Sequence, residues 1–163
     1  MQKPSHLVIF FVALLFAAPV FAGDDAIQIA RVTPYQNKDH IDAKIITECT
    51  DLGAKLSKFL NESATEDGVA IQLVDNPNPE AGGRVLMVQI TNAISAGSAF
   101  LGHSKTMTAT AELFENGVSV GTKTFTRSSG GGFGGAYKGS CSVLGRCSKA
   151  LGQDFADWLK EQK

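Results

Sequence analysis

Two short segments hold most of the side chains that could do chemistry. Ser95 to Lys105 sets Phe100, Leu101, His103, Ser104 and Lys105 among small residues, and Ser129 to Cys141 is a glycine run carrying Phe133, Tyr137 and Lys138. His103 and Ser104 could suggest a base and a nucleophile. They are neighbours in sequence, however, and neighbouring residues of a strand point to opposite faces. A hydrolase triad is held by geometry that no G-x-S-x-G motif foretells here. In the second segment, glycines before a helix let backbone N–H groups approach an anion. A phosphate loop needs G-x-x-x-x-G-K-[ST], whereas Lys138 precedes Gly139, so a flexible crossover is the plainer reading.

The residues expected to bind something are therefore Phe100, His103, Lys105, Phe133, Tyr137 and Lys138. The aromatic ones either anchor their loops in the core or present an apolar face to a partner. No metal or other cofactor is expected: there is no C-x-x-C, the 3 histidines are scattered, and no D-x-[DN]-x-[DN]-G spacing offers a calcium loop. Asp24, Asp25, Asp39 and Asp42 read as solvated or helix-capping carboxylates.

The N-terminus bears on where these segments would work. Lys3 precedes an apolar run from Leu7 to Val20, which ends at the small-residue site Val20-Phe21-Ala22. That is the layout of a secretory signal peptide, and the run is short of the ~20 residues that span a bilayer. The expected organisation is a signal peptide over residues 1–22 and one globular domain over 23–163, with no transmembrane segment after signal removal. Its loss takes away Lys3 alone, leaving 14 of the 15 basic residues against 16 acidic ones. Such a near-neutral chain without a basic stripe is a poor partner for nucleic acid.

Export gives the 3 cysteines meaning, because paired thiols are expected in an oxidising compartment. Ile41, Ile45, Cys49, Leu52, Leu56 and Phe59 recur at helical spacing, as do Leu144, Cys147, Leu151, Phe155 and Trp158. Cys147 falls in the second apolar stripe, which favours a Cys49–Cys141 bridge. The local pair Cys141–Cys147 is the alternative.

Between the two helices the period falls to 2. Ile27 and Ile29, then Val69, Ile71 and Leu73, then Leu86, Val88 and Ile90 mark three strands. In a fourth, Met107, Ala109, Ala111 and Leu113 alternate with Thr106, Thr108, Thr110 and Glu112, giving one dry and one wet face. Asn116-Gly117 supplies a two-residue hairpin turn, and a fifth strand runs from Val118 to about Arg127. A bulge at Gly121 would bring Phe125 to the core side. The pattern predicts an α+β fold. It is a two-layer sandwich: a mainly antiparallel sheet of about five strands with two helices on one face, in the order β-α-β-β-β-β-α.

Ser95-Ala96-Gly97-Ser98, the threonine-alternating strand, Glu115-Asn116-Gly117 and the Ser129 to Gly135 run together resemble a family of bacterial envelope proteins built on a domain of unknown function. The resemblance covers Ile27 to Lys160. It implies a domain related to the α/β modules of periplasmic assembly proteins, and many family members are lipoproteins. This chain lacks the lipid-bearing cysteine, so a soluble subgroup is implied. The expected function is a non-enzymatic binding or structural module of the envelope, periplasmic or secreted, with another envelope protein as partner. A small secreted inhibitor or immunity-type protein is the alternative, and a His103-dependent hydrolase a weaker one. The oligomeric state is not fixed by the sequence.

Overall fold

A computed structural model describes residues 26–98, 102–130 and 139–162. The expected signal segment, Phe100, Phe133, Tyr137 and Lys138 lie outside these, as does the side chain of His103.

Five strands form one sheet: β1 (Ile27–Ala30), β2 (Ile71–Val74), β3 (Arg84–Ser98), β4 (Gly102–Glu115) and β5 (Val118–Ser129). Three helices accompany it: α1 (Ala43–Glu48), α2 (Leu52–Glu66) and α3 (Ser140–Glu161). The spatial order β2-β1-β3-β4-β5 corrects the expected sheet. β1 runs parallel to both β2 and β3, and only the β3-β4-β5 half is antiparallel. The cause is connectivity. A strand that returns through a helical crossover comes back parallel to its start, as β2 does after α1 and α2. β3 then joins the other side of β1.

The first predicted helix is two. Asp42 caps α1, its side chain accepting from Lys44 N at 2.9 Å, and α1 ends at Cys49. Thr47 Oγ1 donates back to the Ala43 and Lys44 carbonyls, a local bond that competes with the helical ladder. The chain restarts at Leu52 and crosses directly beneath the segment that follows β1. There a Cβ on Gly53 would stand 2.2 Å from Thr33 O, so only glycine fits.

The two apolar stripes meet on one face of the sheet. Leu52, Leu56 and Leu60 of α2 and Leu144, Leu151 and Phe155 of α3 are fully buried against Ile27, Ile29, Leu86, Ile90, Met107 and Leu113. Gly152 lets α3 touch the backbone of α2, since a Cβ there would lie 2.7 Å from Leu60 N. The other face of the β4-β5 ribbon is wet. It carries cross-strand hydroxyl pairs Thr106–Ser128, Thr108–Thr126 and Thr110–Thr124 at 2.8–2.9 Å.

Both centre residues of the β4-β5 turn have positive φ, 51° at Asn116 and 83° at Gly117, as the hairpin reading requires. The bulge falls one residue before its expected place. Leu113 faces Gly121 but Phe114 faces Ser119, leaving Val120 extra. The shift brings Phe125 onto the core side, where its ring meets Phe155 edge-on at 5.1 Å.

Candidate functional site

The alternation that buries Met107, Ala109, Ala111 and Leu113 continues backwards to Lys105. Its side chain therefore enters the helix-covered face, where it is only 5% exposed. Lysine is rarely buried to this degree without a partner.

A bulge in β3 brings the next residue in. Before it, Leu86, Val88 and Ile90 face the helices; the register shifts between Ile90 and Asn92, and afterwards Ala93 and Ser95 face them. Bulges re-aim side chains in this way. Ser95 becomes the cross-strand partner of Lys105, and Lys105 Nζ donates to Ser95 Oγ. Ser95 Oγ also lies 3.2 Å from Ser140 Oγ, in the first turn of α3. Both serines are half-buried.

The residue after Ser140 holds this helix end in place. Cys141 forms a disulfide with Cys49 at the end of α1, with Cα atoms 5.1 Å apart, well within the span such a bond bridges. Cys147, one and a half turns on, is buried and unpaired, and its thiol donates to Lys105 O at 3.6 Å. Burial pushes the Cys147 thiol pKa up, so it remains a neutral, apolar filler.

The described flanks of the two segments singled out by sequence thus lie together. β3 and β4 pair as far as Ser98 and Gly102, Lys105 pairs with Ser129 at the end of β5, and α3 begins beside Ser95. Of the expected binding residues, Lys105 is placed in this cluster and His103 lies on β4 opposite Gly97. Sequence reasoning missed Ser95 and Ser140 as partners of Lys105. The signal for Lys105 was present, because it occupies a core phase of the fourth strand. The signal for Ser95 was hidden by the bulge at Thr91.

Elsewhere, charges are used in pairs at the surface: Arg31–Asp75, Arg84–Glu115, Arg127–Asp154 and Lys160–Asp67. Among the described residues, no group of three His, Cys, Asp or Glu side chains could hold a metal ion. No helix among them is long and apolar enough to cross a membrane.

The fold is that of a small α+β module with a mixed five-stranded sheet. No family model matches the chain. No curated protein matches it either. Solved structures do. A Xanthomonas campestris protein of the DUF330 family is similar with a TM-score of 0.54 at 13% identity, over 84% of this chain and 85% of that one. The PelC dodecamer of Paraburkholderia phytofirmans gives 0.51 at 14% identity, over 79% and 86%. A minor lipoprotein of Acinetobacter baumannii gives 0.49 at 15% identity, over 86% and 93%. At these identities the likeness is one of fold.

Proposed function

We propose that this chain is an exported, disulfide-tied, non-enzymatic module of the bacterial envelope, made with a signal peptide over residues 1–22, and that it binds another envelope component through the end where β3, β4, β5 and α3 meet. The Cys49–Cys141 bond carries the reading. It joins positions 92 residues apart and fixes the first turn of α3 beside Ser95 and Lys105. A bond of this kind persists in an oxidising compartment and is rare in the cytosol. The apolar N-terminal run and the fold shared with bacterial proteins support the same reading.

Within this proposal Phe100, His103, Lys105, Phe133, Tyr137 and Lys138 belong to the binding end. The test compares the oxidised wild-type protein with Phe100→Ala and Tyr137→Ala, using cross-linking in intact cells and thermal melting of the purified chains. The proposal expects a cross-linked envelope partner that both variants lose while melting is nearly unchanged. Variants that melt early, or that still cross-link, would remove the binding role from this end.

A further inference from the structure

Among the described residues, Lys105 is the one buried lysine. Its side chain is almost wholly removed from water. Among the described residues its ammonium has a single hydrogen-bond partner, the hydroxyl of Ser95, and no carboxylate within ion-pair distance. Arg31, Arg84, Arg127 and Lys160 are more exposed, and each has an acidic partner. Burying an uncompensated charge is costly, whereas a neutral methionine would fill the same volume without that cost. The fold nevertheless aims this ammonium inward by strand phase, places Ser95 against it through a bulge, and brings Ser140 to Ser95.

We infer that Lys105, Ser95 and Ser140 form a binding site for a compact oxyanion, the phosphate or carboxylate group of an envelope component. This deepens the binding-end reading and rests on it. An oxyanion would take a charge-assisted hydrogen bond from Lys105 Nζ. It would also accept from the Ser95 and Ser140 hydroxyls, which can rotate their protons toward it. The two serines are half-buried and the lysine is more deeply buried. The disulfide one residue along holds Ser140 in position before anything binds, so little ordering is left for the ligand to bring about.

The experiment is a titration of the oxidised protein with inorganic phosphate and, separately, with acetate, at constant ionic strength made up with sodium chloride. Backbone amide resonances are the readout. A saturable shift centred on Ser95, Lys105 and Ser140 is expected with at least one anion; a response to phosphate alone assigns a phosphate-bearing ligand, and a response to acetate a carboxylate. Lys105→Met is expected to stay folded and to weaken binding at least about tenfold, as removal of a charged hydrogen-bond donor does. Ser140→Ala gives a smaller weakening and serves if the lysine variant does not fold. No saturable shift with either anion, or equal binding by the variants, overturns the site. The titration uses purified protein, so it can fail while export holds, and the cellular test can fail while the anion still binds.

Discussion

The two ends of the β3-β4 pair handle charge in opposite ways. At the turn end, Arg84 Nε lies 2.9 Å from Glu115 Oε1 and its Nη2 donates to Gln162 O at 3.2 Å. Asn116 accepts from Gly83 N through its side chain at 3.0 Å and donates to Gly83 O through its backbone at 2.8 Å. Arg84 Nε is buried there without an aligned hydrogen bond, yet it has the Glu115 carboxylate beside it as a counter-charge. At the opposite end Lys105 is buried more deeply, and among the described residues its ammonium meets a serine hydroxyl and no carboxylate. One end spends its polar groups on closing the fold. The other buries a cation without a described counter-charge, and it is the end beside the Cys49–Cys141 disulfide.

That contrast can be broken in several ways. Replacing Cys49 and Cys141 by serine should cost the most, about 2–4 kcal/mol from a loop this long, measured by urea denaturation. Amide exchange should rise first in the initial turn of α3, and an unchanged turn would mean the bond is not what holds that end of the helix. Asn116→Ala should cost about 1–2 kcal/mol, since it removes the bond to Gly83 and places alanine at positive φ. Neutralising one cation at each end separates them further. Arg84→Met should lose about 1 kcal/mol or less, as a partly exposed ion pair does, while Lys105→Met should lose nothing or gain stability, as removal of an uncompensated buried charge does. Equal losses at both ends would erase the distinction.

The smallest effect concerns Cys147. Its thiol pKa is raised in the folded chain by burial, so the folded state holds the proton that the unfolded state gives up. Stability from this group is complete below the ordinary thiol pKa and declines as pH rises above it. Denaturation followed through the alkaline range should fall less steeply for Cys147→Ala than for wild type, and parallel curves would contradict the assignment.

Much of this fold was legible in the residues. The helical stripes ending at Trp158, the alternation from Met107 to Leu113 and the Asn116-Gly117 turn each follow from a local period or a single φ requirement. The parallel pairing of β1 was not legible, because strand order depends on where a crossover returns rather than on any pattern within Ile27–Ala30. Nor was the break between α1 and α2, which places Gly53 beneath Thr33, a contact made by a distant segment. The site divides the same way. Lys105 could be read from strand phase, but Ser95 joins it only because one bulge inverts the phase of β3, and Ser140 only because the tertiary fold brings α3 there.

The account stands most directly on the covalent state of the chain in the cell. Peptide mapping by mass spectrometry of the protein recovered from the bacterial periplasm or medium should find a mature N-terminus at Gly23, the Cys49 peptide joined to the Cys141 peptide, and Cys147 as a free thiol. A chain that stays in the cytosol, begins at Met1 and carries Cys49 and Cys141 reduced would contradict it.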